Sequence, residues 1–146
     1  MKIGSRGHTT VGHTADIGVR AAAPDPSGLL EEAAAALAEL SADVSGPTEL
    51  RSQPIEVHGD DLTALTYAWL NELVGLTDVR GEALVRAEVQ RLERRDGGWI
   101  VRGAATFAAY DDGRVRPRLQ VKAATFHGLK VTHEPEGWAL EAYLDI

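Results

Sequence analysis

Apolar and polar residues alternate from His13 to Ala21: Ala15, Ile17, Val19 and Ala21 fall on one face, and Thr14, Asp16, Gly18 and Arg20 on the other. A period of two with one apolar side predicts a strand with one buried face. The period then changes. Asp25-Pro26-Ser27 reads as a helix start, because Asp or Ser caps the first turn and Pro fits inside it. Leu29, Leu30, Ala33, Ala34, Leu37 and Leu40 form the buried stripe of a helix running to about Ala42. A loop from Val44 to Ser52 precedes a short strand at Pro54–His58, and its Pro places that strand at an edge. Asp60 and Asp61 offer caps for a second helix, whose stripe is Leu62, Leu65, Trp69, Leu73 and Leu76, ending near Thr77.

The remainder reads as an antiparallel meander. Strands are predicted at Gly81–Leu92, Trp99–Tyr110, Val115–Phe126 with a break at Gly128 and continuation through Leu129–Thr132, and Trp138–Ile146. Asp96-Gly97-Gly98, Asp112-Gly113 and Glu136-Gly137 mark the turns. Two helices and about six strands imply an α+β fold, a two-layer sandwich with a mostly antiparallel sheet and two helices on one face. At 146 residues the chain suits one domain spanning 1–146, with 1–10 a flexible lead-in.

Composition narrows the chemistry. Only 5% of residues are aromatic, so Ala, Val and Leu must supply most of the core. There is no Cys, which excludes disulfides, thiolate zinc sites and cysteine nucleophiles. A net charge of −7 argues against gripping nucleic acid as the main role. The first residues lack the apolar segment of a signal peptide, and no apolar run approaches the roughly 18–20 residues that span a bilayer. The expected compartment is the cytoplasm, with no membrane association.

The motifs of P-loop, dinucleotide-binding, α/β-hydrolase and zincin sites are absent. What remains is a set of carboxylates and a set of cations. Asp16, just after His13, lies on the polar face of the first strand. In the last strand Glu141, Tyr143 and Asp145 share a face opposite Trp138, Leu140, Ala142 and Leu144. Asp145 and the main-chain oxygens of Ile146, beside Asp16, would suit a hard cation; the competing reading is a solvated strand end. Glu72 falls on or beside the buried stripe of its helix, where a carboxylate needs a partner, a wet cleft or room to reach solvent. Arg114, Arg116, Arg118 and Lys122 share one strand parity, with Lys130 beyond, and offer a face for an anionic partner; a solvated strand face explains them as well. His58, His127 and His133 stand alone without ligand spacing.

Four segments occur in order: HTADIG (13–18), WLNEL (69–73), VKAATFHGL (121–129) and the terminal LDI (144–146). Together they resemble the archease family over nearly the whole chain. That resemblance implies an accessory protein of the RtcB-type RNA ligase, which joins RNA ends in tRNA splicing and repair. The accessory protein promotes guanylylation of the ligase and its multiple turnover, touches RNA only indirectly or weakly, and is not itself the ligase. The resemblance also implies a divalent metal, Ca²⁺ or Mg²⁺ with Mn²⁺ as a further option, held by Asp16, Asp145 and Ile146. It marks Lys122 as functional; the residues read on their own add His13, Glu72, Arg116 and Arg118 as further candidates for partner contact. The sequence departs from the family where Ala124-Thr125-Phe126-His127-Gly128 replaces VTYHG. It departs again where Arg116-Pro117-Arg118-Leu119-Gln120 stands in place of acidic and His residues. Two other classes fit the same residues: a metal-dependent phosphohydrolase using Asp16 and Asp145, and a chaperone-like binding module that needs no metal. Neither the oligomeric state nor the native metal is encoded legibly.

Overall fold

The computed structural model describes residues 16–146. The order is β1 (Asp16–Ala23), α1 (Pro26–Ser41), β2 (Ala42–Val44), β3 (Arg51–Gly59), α2 (Leu62–Arg80), β4 (Ala83–Arg95), β5 (Gly98–Ala108), β6 (Val115–Pro117), β7 (Ala123–Glu134) and β8 (Gly137–Asp145). Both helices begin as their caps predict. The Asp25 carboxylate accepts from the Gly28 N–H at 2.7 Å, and that of Asp61 from the Ala64 N–H at 2.8 Å. Each satisfies a first-turn donor that has no helical partner. α2 runs past Thr77 to Arg80, because the residue able to take the left-handed terminating conformation is Gly81, at φ 64°.

Among the described residues the strands form antiparallel sheets in the orders β1-β8-β7, β2-β6 and β3-β5-β4. β3 is an edge strand, as Pro54 requires. Each helix packs against both three-stranded sheets: α1 lies along β1 and β4, and α2 along β7 and β3. The result is the expected α+β sandwich, with its sheet layer divided rather than continuous. Trp69 sits fully buried where α1 and α2 meet, and its indole N–H donates to the Leu30 carbonyl at 2.9 Å. Ala33 and Ala34 on α1 are equally buried, and their small size lets the helix approach the strands closely. β4 carries two bulges, at Leu84/Arg86 and Val89/Arg91. At the second, the Glu31 side chain on α1 accepts from the Val89 N–H at 2.8 Å, satisfying a donor beside the interrupted ladder.

The predicted strand from Val115 to Phe126 is not continuous. It breaks after Pro117, and the N–H groups that follow turn to another partner: Arg118 and Leu119 donate to the Ser41 and Leu40 carbonyls at 2.9 and 3.0 Å. These are end carbonyls of α1, without helical partners of their own. The segment therefore caps a helix instead of extending a sheet, and the cation stripe read from its parity does not form. Arg118 donates from its guanidinium to the Glu39 carbonyl at 2.8 Å, and Arg116 lies 3.8 Å from Asp43. The expected break at Gly128 is instead a wide bulge within β7, with Gly128 at φ 79°.

Candidate carboxylate site

The outermost described pair in the β1–β8 ladder is Asp16 opposite Asp145. Directly opposed residues on antiparallel strands project from the same face, with Cβ atoms about 4.5–5.5 Å apart. Their inward neighbours Ile17 and Leu144 turn to the core, and Leu144 is fully buried, so both acids face outward. Asp145 also pairs with Ala123 on β7, and its carbonyl accepts the Lys122 N–H at 2.8 Å. The structure thus gathers Asp16, Asp145, Ile146 and Lys122 at one end of the three-stranded sheet.

The electrostatics of this end follow from the pairing. Asp16 is close enough to share a proton with Asp145, and this hydrogen bond raises the Asp145 carboxyl above its usual range. Partial burial and the Asp16 charge push the same way, against the pull of the Lys122 ammonium. Two carboxylates held against each other's charge form a donor set that a hard divalent cation relieves. No group of three or more His, Cys, Asp or Glu side chains able to hold a metal gathers among the described residues. The pair supplies two side-chain ligands, and main-chain oxygens of Ile146 and water would complete the shell. The residues fit an oxygen-liganded cation better than Zn²⁺, which favours nitrogen and sulfur.

The other candidates do not join this group. His13 lies outside the described residues. Glu72 is exposed on α2, off the buried stripe. Arg116 lies in β6 opposite Asp43, and Arg118 belongs to the α1-capping segment. Two residues that the sequence does not single out as site candidates do contribute. Asn71, in WLNEL, donates its side-chain amide to the Ala124 carbonyl at 3.0 Å and accepts the Ala124 N–H at 2.9 Å. It thereby acts as a short extra strand on the free edge of β7, one residue from Ala123. Its signal was a polar amide next to the buried stripe of α2. Tyr143 lies between the acids and the Arg20–Glu141 ion pair, on the same outer face.

The sequence matches the model of the Archease protein family over residues 8–146. The chain belongs to the archease family. "Protein archease" of Methanopyrus kandleri is 37% identical over 134 residues, covering 92% of this chain and 95% of that protein. That of Pyrococcus furiosus is 35% identical over 135 residues, covering 92% and 94%. The solution structure of Methanobacterium thermoautotrophicum protein 1598 superposes with a TM-score of 0.74 at 27% identity, covering 93% of this chain and 96% of that one. No helix among the described residues is long and apolar enough to cross a membrane.

Proposed function

We propose that this protein is an accessory factor of a cytoplasmic RtcB-type RNA ligase, promoting its guanylylation and multiple turnover in tRNA splicing and RNA repair. Family membership supports the role, and the opposed Asp16–Asp145 pair carries the reading of how it is performed. In this reading Asp16, Asp145 and main-chain oxygens of Ile146 hold a divalent cation, Ca²⁺ or Mg²⁺ with Mn²⁺ as a further option. When bound, that cation supplies positive charge that neutralises phosphate oxygens during nucleotidyl transfer.

The chain's own residues do the rest. The β1–β8 register sets the two carboxylates side by side on an outward face, where a partner's active site can reach them. The Lys122 N–H fixes the Asp145 main chain, while its ammonium offers a second positive charge for a phosphate-bearing partner. The test is guanylylation of the cognate ligase histidine with and without this protein. Stimulation by wild type that disappears in the Asp16→Ala/Asp145→Ala variant is expected. Full stimulation by that variant would refute the carboxylate mechanism. Metal-dependent cleavage of a phosphoester by the protein alone would favour the phosphohydrolase reading instead.

A further inference from the structure

The Asp16–Asp145 pair is the outermost described rung of the β1–β8 ladder. On the other side, the β7–β8 ladder is interrupted by the bulge. Thr125 pairs with Tyr143 and Lys130 with Glu141, so the four residues from Phe126 to Leu129 stand opposite Ala142 alone. Beyond that bulge three pairs, Ala123–Asp145, Ala124–Leu144 and Thr125–Tyr143, continue the ladder, and the Lys122 N–H donates to the Asp145 carbonyl just past them.

One side chain reaches both neighbouring strands of β8. Gly18 is directly opposite Tyr143, and a Cβ on Gly18 would lie 3.1 Å from the ring's Cε1. A Cβ on Gly128, in the bulge, would lie 2.9 Å from Cδ2 and Cε2 on the opposite edge of the ring. The ring is therefore wedged between a glycine of β1 and a glycine of β7. Any side chain at either position would displace it. The glycines ending HTADIG and preceding Leu129 thus share one partner, which neither motif shows alone.

We propose that Tyr143 is a positioning residue: seated between Gly18 and Gly128, it locks β1 and β7 onto β8 and so holds Asp16 opposite Asp145 at a cation-binding separation. The proposal rests on the carboxylate site assigned above. Its consequence is that cation affinity depends on a ring that never touches the cation, as affinity at other metal sites depends on groups behind the ligands.

The test is Mn²⁺ titration calorimetry on the full chain at neutral pH, with circular dichroism confirming that each variant is folded. Wild type is expected to bind, and Asp16→Asn to lose that binding. Tyr143→Phe, which keeps the ring, should bind within about twofold of wild type, and Tyr143→Ala should bind at least about tenfold more weakly. Leu84→Ala, which opens a cavity in the sheet holding β4, controls for global destabilisation and should leave affinity unchanged. Should Tyr143→Ala fail to fold, Gly18→Ala, which shifts the ring by a few tenths of an ångström, should still weaken binding measurably. Wild-type affinity in folded Tyr143→Ala, or in Gly18→Ala where that variant stands in, overturns the positioning role while the carboxylate site stands. Absence of Asp16-dependent Mn²⁺ binding in wild type removes the site itself, and the positioning role with it.

Discussion

Replacing Asn71 with Ala tests how the edge of β7 is held. The side chain makes two hydrogen bonds to the Ala124 main chain, at 3.0 and 2.9 Å, and a third to the Tyr67 carbonyl at 3.1 Å. The Tyr67 carbonyl also serves the α2 ladder, so its loss is minor. The Ala124 groups face away from β8 and have no second strand beyond them, and Ala124 is only 3% exposed. A net hydrogen bond is worth about 1 kcal/mol, and a donor or acceptor left without a partner in a poorly hydrated place costs about 1–3 kcal/mol. With some water reaching the edge, Asn71→Ala should destabilise by about 2–3 kcal/mol, or roughly 4–12 °C in Tm for a chain of this size. Equilibrium urea unfolding followed by circular dichroism reads this as a lower midpoint at unchanged slope. Asn71→Asp is the sharper comparison. It keeps an acceptor for the Ala124 N–H but sets a carboxylate against the Ala124 carbonyl, so it should lose as much as Ala. A loss below about 0.5 kcal/mol in both variants would show that the Asn71 contacts do not hold β7.

Other substitutions probe separate parts of the structure. Gly103→Ala would drive a Cβ into the Glu88 carbonyl, a backbone atom in the bulged ladder, and should cost about 3 kcal/mol or more by urea unfolding. Asp145→Asn should raise the Tm of the EDTA-treated protein at neutral pH. The folded Asp145 pKa is raised, so ionising it costs stability, and the penalty grows as pH climbs from the ordinary carboxylate range through the raised value. The gain from the substitution should therefore vanish in acid, and an equal gain at low pH would contradict it. Glu72→Ala, at an exposed position, should change stability by less than about 0.5 kcal/mol in the same unfolding assay.

Local physics made much of this fold legible. Asp25 with Pro26, and Asp61, each start a helix by a mechanism that depends on adjacent residues alone. Alternation in β1 and β8 assigns Asp16 and Asp145 to outward faces before any register is known. What was hidden depends on contacts distant in sequence. Parity cannot reveal that the N–H groups after Pro117 serve the end of α1 some 80 positions earlier, and that misreading produced a continuous cation stripe. The Asn71 amide reaches Ala124 across 53 positions, and only the docking of α2 on β7 gives it a purpose. The sheet layer divides because each helix spans two sets of strands, which no single strand pattern records. The juxtaposition of Asp16 with Asp145 was expected through family resemblance. Its geometric cause, the antiparallel pairing of the first and last described strands, required the fold.

The most direct test is multiple-turnover RNA joining by the cognate RtcB-type ligase at limiting amounts of this protein, comparing wild type with Asp16→Asn and Asp145→Asn. Both substitutions preserve shape while removing a charge. The expected result is sustained turnover with wild type and its loss with either variant, each still folded and still binding the ligase. Turnover at the wild-type level with both variants would contradict the claim that the paired carboxylates carry the function.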